Sequence, residues 1–227
     1  MQPYFLPYIG YFQLISAVDV FIVYDTIKYT KKGWINRNRM LRNGEAATFS
    51  LPLKGASDDL DVRDREIARE FRSETILAQV RGAYRRAPHF EPTYALLERI
   101  VGTEERNLFL FLEHSIRLVC GHLGITNEIR RSSEVPVDRH PRGQDRVLAM
   151  CEAIGTDIYV NAIGGVELYS PEAFAARGME LRFIRSQPLE YPQLGTGFVP
   201  QLSILDVLMF NPLPTVREIV RTGFDLI

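Results

Sequence analysis

Residues 1–25 read Met-Gln-Pro-Tyr-Phe-Leu-Pro-Tyr-Ile-Gly-Tyr-Phe-Gln-Leu-Ile-Ser-Ala-Val-Asp-Val-Phe-Ile-Val-Tyr-Asp, and this stretch decides the fold class. Pro3 and Pro7 hold the backbone extended or turned and bias the residue before each away from the helical region, so Gln2–Tyr8 is a loop. After Pro7 the residues Ile9, Phe12, Gln13, Ser16 and Ala17 fall at helical spacing, which predicts a helix to about Val18. The apolar run from Asp19 to Asp25 then reads as a short buried strand. Loop, helix and strand in that order are half of a nucleotide-binding α/β unit.

Working outward, Arg39–Arg42 and Ala46–Leu51 flank Asn43-Gly44, the dipeptide that accommodates the positive φ angles of a type I′ turn, so a β-hairpin is predicted. Lys54–Asp64 is polar and reads as an exposed loop, before Val62 or Ile67 contributes a further strand. From about 69 to 124 the period is 3.6, with one helix ending near Ala87-Pro88, one through Tyr94, Leu97 and Ile100, and one from Glu105 to Leu123 stopped by Gly124. An extended Glu128–Arg131, a helix from about Gln144 to Ile154, a strand Asp157–Ile163, a short helix Pro171–Ala176 and a strand Glu180–Ile184 follow. Two helical segments, Ser203–Phe210 and Thr215–Thr222, close the chain. Such alternation predicts an α/β fold: a mainly parallel, Rossmann-like sheet with a β-hairpin and a helical insertion, in one domain spanning 1–227.

With 227 residues, 46% hydrophobic and 24% charged, the chain can bury a substantial core, and a formal net charge of −1 argues against a nucleic-acid binder that works by bulk charge. The cations are 23 Arg and only 4 Lys, suited to gripping carboxylates or phosphates, although codon bias on a solvated surface gives the same count. Cys120 and Cys151 lie in apolar helical contexts without the spacing of a zinc knuckle or a redox pair, and read as buried thiols. No signal peptide or apolar run of about 20 residues appears, so the expectation is a cytoplasmic chain without stable membrane insertion. The averages conceal a skew: of 24 aromatic residues, nine fall before Ile35.

That skew marks the first candidate site. Gln2, Tyr4, Tyr8 and Tyr11 surround a helix start, where unpaired N–H groups suit an anionic ligand, or else the rings of Tyr8 and Tyr11 simply cover the core. Tyr8-Ile9-Gly10-Tyr11 has the spacing of the His-x-Gly-His motif of nucleotidyltransferase-like folds but lacks both imidazoles, and Arg131-Ser132-Ser133 is similar to the serine-rich phosphate loop of the same fold. In the second candidate, Trp34 is positioned to stack on a sugar or base while Asn36, Arg37 and Asn38 hydrogen-bond hydroxyls or anions, with Lys28, Lys31 and Lys32 before it and Asp25 at the strand end. The rival reading is a solvated entry to the hairpin.

Of four histidines (His89, His114, His122 and His140), His114 and His122 are eight apart on one helix, too far for an i, i+4 metal pair, and no metal site is assigned. His89, in a basic loop, is the general-base candidate, or a turn residue packed on Phe90. Gly164-Gly165, between Asn161 and Tyr169, lets the backbone turn sharply beside a ligand. Asp206 falls in the first turn of a helix, where capping and dipole effects account for it.

Four separated blocks, Gln2–Ile15, Gly33–Asn38, Asn161–Tyr169 and Leu202–Asn211, together resemble the WbqC-like family over nearly the whole chain. The resemblance implies a place in bacterial O-antigen or other surface-polysaccharide biosynthesis. It also implies several apolar residues ahead of Met-Gln-Pro that complete a first strand, so in the sequence beginning at Met1 that strand is expected to be incomplete. The resulting expectation is a transferase that modifies a nucleotide-activated sugar or glycan precursor, by acyl or aminoacyl transfer. Asp25, His89, Tyr8 and Tyr11 are its catalytic candidates, and Gln2, Tyr4, Trp34, Asn36, Arg37, Asn38, Asn161 and Tyr169 its binding candidates. Alternatives are a nucleotide-dependent activating enzyme and a non-catalytic sugar-binding or assembly protein. The expected partner is a sugar or nucleotide sugar and no nucleic acid; cofactor and oligomeric state are left unassigned.

Overall fold

The computed structural model describes residues 1–55, 59–138, 141–195 and 197–227. In chain order, α1 (Ile9–Ser16) and β1 (Val20–Val23) lead to β2 (Arg37–Arg42) and β3 (Glu45–Ser50). Three helices follow: α2 (Ser73–Tyr84), α3 (Phe90–Val101) and α4 (Leu108–Leu123). Next come β4 (Glu128–Arg131), α5 (Gly143–Ile154), β5 (Ile158–Ala162), α6 (Pro171–Ala175) and β6 (Glu180–Ser186). The chain closes with α7 (Ile204–Phe210), α8 (Leu213–Thr222) and β7 (Phe224–Leu226). The architecture is mixed α/β.

Local chemistry explains most boundaries. Asn43 and Gly44 have φ of 54° and 80°, so the β2–β3 hairpin closes on the left-handed pair that its dipeptide favours. The α4 helix starts on the Asn107 side chain, which accepts from the Leu110 N–H, and stops at Gly124, whose φ of 75° releases the chain. Residues Gly10–Ile15 of α1 are all buried, so this helix is enclosed all round and fills the interior, with the polar side chain of Gln13 bonded to Ile219 O, Gly223 O and Ser186 Oγ.

Strand alternation sets the layers. Phe21 and Val23 of β1 enter the main core, whereas Tyr24, just beyond the strand, donates its hydroxyl toward the Met150 sulfur of α5 at 3.3 Å. Tyr159 of β5 and its parallel register partner Leu181 of β6 pack on a smaller core of Val147, Leu148, Cys151, Phe174 and Met179. Val160 and Ile184 point the other way, into the main core. Helix α1 therefore lies against one face of β5 and β6, with α8 beside it, while α5 and α6 cover the opposite face.

The expected single sheet is divided. β1 pairs in parallel with β4, β5 pairs in parallel with β6, and β7 adds an antiparallel edge to β6. Between β1 and β5 runs a groove of about 520 Å³, floored and roofed by Leu14 of α1 and Met150 and Cys151 of α5. At one end Met1 occupies it: its amine donates to Ile22 O at 2.7 Å and its carbonyl accepts from Tyr24 N at 2.8 Å, the bond pattern of a residue paired in parallel with β1. Among the described residues β1 and β5 each pair with one strand, β4 and β6, and both line this groove.

One further expectation changes. Val62 and Ile67 form no strand: Val62–Asp64 is a 3-10 turn and Leu53–Ile67 an isolated antiparallel bridge. Their buried apolar side chains, with backbone bonds from Val62 N to Ile27 O and from Ile67 N to Arg106 O, both at 2.8 Å, anchor an irregular segment in the core. β7 and the 3-10 turn Ile163–Leu168 carry too few periodic positions to be visible in sequence. Among the described residues no helix is long and apolar enough to cross a membrane.

Candidate functional site

Parallel strands deliver their following loops to one edge, and in open α/β sheets that edge is where ligands gather. Asp25 and Thr26 follow β1; Ser132 and Ser133 follow β4 in a 3-10 turn. The Asp25 carboxylate accepts from Ser132 Oγ at 2.7 Å and from Ser133 N at 3.0 Å. Burial pushes the Asp25 carboxyl up, but the hydrogen bonds from Ser133 and Ser132 together outweigh it and hold the group below the usual range. Thr26 Oγ1 lies 2.9 Å from Ser132 Oγ and accepts from Arg146 Nη2 at 2.5 Å, and the Arg146 guanidinium stands 5.5 Å from the centre of the Tyr24 ring. A carboxylate and two hydroxyls, brought together by strand pairing, thereby meet the guanidinium of Arg146 from α5 at one point of the sheet edge.

The amino-terminal loop runs from this edge to the hairpin. Tyr11 is 1% exposed, its hydroxyl donates to Gln2 O at 3.0 Å, and burial drives its pKa well upward, so it functions as a core tyrosine that pins the loop. Tyr4 donates to Gln2 Oε1 at 3.3 Å and lies beside the Tyr11 ring. Tyr8, three residues from Tyr11, is instead 38% exposed. A Cβ on Gly10 would come within 2.4 Å of Tyr8 Cε2 and 2.8 Å of Ser186 Oγ, so glycine there is what lets the Tyr8 ring lie flat on the helix start. Leu6, fully buried, has a φ of 46°, a conformation that costs energy in a leucine. Its carbonyl accepts from Asn38 Nδ2 at 2.9 Å and Ser203 Oγ at 2.7 Å, which hold the strained turn in place.

At the end of β5, Asn161 Oδ1 accepts from Ala162 N at 2.8 Å, and its amide nitrogen lies 2.6 Å from the position a Cβ on Gly165 would take. Gly165 is thus required by the Asn161 side chain. Tyr169 meets Tyr159 hydroxyl to hydroxyl at 3.3 Å, and both rings contact Phe174. Met1, Tyr24 and Asn161 line the same groove.

The hairpin residues divide into anchors and an exposed group. Asn38 donates to the carbonyls of both Phe5 and Leu6, and Asn36 accepts from Tyr29 Oη at 2.8 Å and donates to Leu51 O at 2.8 Å. Their hydrogen-bonding groups hold the fold. Trp34 is 39% exposed and stands within 6 Å of two guanidiniums, Arg37 at 5.8 Å and Arg39 at 5.3 Å from its ring centroid. His89 precedes α3 and donates its backbone N–H to Met209 O at 3.0 Å, and no hydrogen bond, ion pair or ring contact of the described residues joins it to Asp25 or Tyr8. His140 lies outside the described residues. Among the described residues no cluster of His, Cys, Asp and Glu could hold a metal ion.

Arg146, Thr26 and Arg39 escaped the sequence reading because each sits in an ordinary helix, loop or strand pattern. Arg131-Ser132-Ser133 is similar in sequence to a serine-rich phosphate loop, but the pairing of Ser132 with Asp25 across 107 residues has no local trace. Asp206, read as a capping residue, is fully buried and accepts from Tyr84 Oη at 2.8 Å, Tyr191 Oη at 2.7 Å and Gln193 Nε2 at 2.6 Å. Ser203 caps α7 in its place, accepting from Leu205 N.

The profile of the WbqC-like protein family matches residues 2–218. The chain is also similar to "Uncharacterized protein Rv1507c" of Mycobacterium tuberculosis (strain ATCC 25618 / H37Rv), with 27% identity over 215 residues that cover 93% of this chain and 91% of the relative. No solved structure gives a significant match. Coverage of nearly the whole length, with the four sequence blocks inside the matched region, places the assignment beyond a local motif: the chain belongs to the WbqC-like protein family.

Proposed function

We propose that this protein is a transferase of bacterial surface-polysaccharide biosynthesis, acting on a nucleotide-activated sugar or a glycan precursor at the carboxyl edge of β1, β4 and β5. The observation that carries the reading is the convergence of Asp25, Thr26, Ser132 and Arg146, from three elements, beside the loop bearing Gln2, Tyr4 and Tyr8. Family membership supports the pathway, and the edge supports a ligand carrying both hydroxyls and negative charge. In this reading Arg146 attracts the anionic part of the donor, Asp25 stays ionised and orders the Ser132-Ser133 turn, and the exposed Tyr8 with Tyr4 and Gln2 orients sugar hydroxyls. The Rossmann-like, nucleotidyltransferase-like reading of the fold belongs to the same proposal, since a strand in the β1–β5 groove would join the two parallel pairs into one sheet.

The test is a thermal-shift screen of purified protein against nucleotide sugars and nucleoside triphosphates. A ligand at about 100 times its Kd stabilises the folded state by about 2.7 kcal/mol, enough to raise the midpoint by several degrees. The expected result is a shift with a nucleotide sugar that Arg146→Ala abolishes while the unliganded midpoint stays near the native one. No shift with any nucleotide sugar would remove the reading.

A further inference from the structure

A second surface, away from the strand edge, has its own chemistry. Between Lys28 and Arg42 the sequence carries six cations (Lys28, Lys31, Lys32, Arg37, Arg39 and Arg42) and no acidic residue, within a chain whose net charge is −1. Strand alternation turns Asn38 and Met40 inward, 7% and 1% exposed, and sets Arg37 and Arg39 together on the outer face of β2. Across the hairpin their register partners are Ser50 and Thr48, both exposed hydroxyls. The indole of Trp34 completes the face, 39% exposed although the next residue, Ile35, is fully buried.

The two guanidiniums are held ready. Arg37 Nε donates to Gly33 O at 2.9 Å and Arg39 Nη2 to Gln201 O at 3.0 Å. Among the described residues neither meets a carboxylate, whereas Arg117, Arg130, Arg131, Arg182 and Arg221 all do. Carbonyl anchors fix each side chain and leave most of its donor fork unused, so little rotamer freedom remains to be lost when an anion arrives. An aromatic face accepts the apolar C–H surface of a sugar ring, and a planar fork accepts a carboxylate through two parallel bonds.

We infer that the outer face of the β2–β3 hairpin binds an acidic oligosaccharide, with Trp34 as the stacking platform and Arg37 and Arg39 as contacts to sugar carboxylates. The inference rests on the polysaccharide reading above and names the acceptor-side chemistry of it: a glycan chain bearing uronate groups. The indole centroid lies 5.8 Å from the Arg37 and 5.3 Å from the Arg39 guanidinium, a spacing that suits one pyranose ring with neighbouring acids. Single-stranded nucleic acid would instead use a succession of aromatic platforms along a basic groove.

Trp34 is the only tryptophan in the chain, so intrinsic fluorescence reports on this face directly. The full-length protein is titrated with trigalacturonate, with maltotriose as the neutral control and oligo(dT) as the nucleic-acid control. The expected result is a saturable change with trigalacturonate, at least tenfold tighter than with maltotriose or oligo(dT) and weakening as salt rises. Arg37→Ala/Arg39→Ala, at half-buried positions on the outer face of the hairpin, should weaken it at least tenfold with little change in the thermal midpoint. Equal affinity for maltotriose, tighter binding of oligo(dT), no change in fluorescence, or an unaltered titration in the double variant would each overturn the inference. Loss of this binding with nucleotide-sugar stabilisation intact would remove the glycan face alone. The converse result would remove the edge site.

Discussion

The Ser132 hydroxyl lies 2.7 Å from the Asp25 carboxylate, tying together the carboxyl ends of two parallel strands that are 107 residues apart in sequence. This bond carries the candidate edge site, because Ser133 N, Thr26 and through it Arg146 are arranged around the same pair.

Ser132→Ala removes one donor from a buried carboxylate. The expected loss of stability is about 1–3 kcal/mol, read as a lower urea midpoint with an unchanged denaturant slope. Asp25 has a lowered pKa when folded, so its contribution is present above its ordinary value of 3.8 and is lost as pH falls below that value. Asp25→Asn should flatten this part of the acid limb, and an unchanged pH profile would show that the carboxylate contributes nothing through ionisation.

Asp206 carries the opposite sign. Burial raises its pKa despite the hydrogen bonds from Tyr191, Tyr84 and Gln193, so the folded state keeps the proton at pH values where the unfolded chain has released it. Its effect is most favourable below pH 3.8 and declines as pH rises through the raised folded value. Tyr84→Phe removes a donor to Asp206 and also the acceptor of Leu41 N at 2.7 Å, with an expected cost of about 1–3 kcal/mol in urea unfolding.

Gly10→Ala places a methyl group 2.4 Å from Tyr8 Cε2, so the ring must leave its seat. Overpacking of this kind costs about 1–3 kcal/mol. Both the thermal midpoint and the nucleotide-sugar shift should fall; a fall in the midpoint alone would mean that Tyr8 has no part in binding.

The β1–β5 groove predicts a gain. The Met1 amine is buried and its pKa is lowered from 8.0 to about 5, so its favourable state is present above pH 8 and is lost as pH falls toward 5. Extending the chain ahead of Met1 by five alternating apolar residues converts the amine to an amide and fills the groove with a strand parallel to β1. The expected outcome in differential scanning calorimetry is a midpoint raised by several degrees and a flatter profile between pH 5 and 8. An unchanged midpoint and profile would show that the groove does not take a strand.

Much of the fold was legible because its causes are local. Asn43-Gly44 specifies a hairpin turn by the φ angles its residues tolerate, and Gly124 ends α4 for the same reason. The helices from Ser73 to Leu123 follow from a 3.6-residue apolar period. The isolated bridge at Ile67 escaped the sequence reading, as a buried irregular segment and a short strand show the same apolar residues.

The candidate site was legible only in part. Tyr8 and Tyr11 are chemically identical and share one helix start, yet packing buries Tyr11 and leaves Tyr8 exposed. Asn36 and Asn38 look like ligand-binding amides in sequence, and the fold uses both to hold backbone carbonyls. What the sequence by itself determined was where the chain turns, where helices stop and which family it joins, because those depend on backbone preference and on residue order. Which side chains meet, Asp25 with Ser132 and Thr26 with Arg146, only the tertiary structure decided, because strand pairing brings together groups that no local pattern relates.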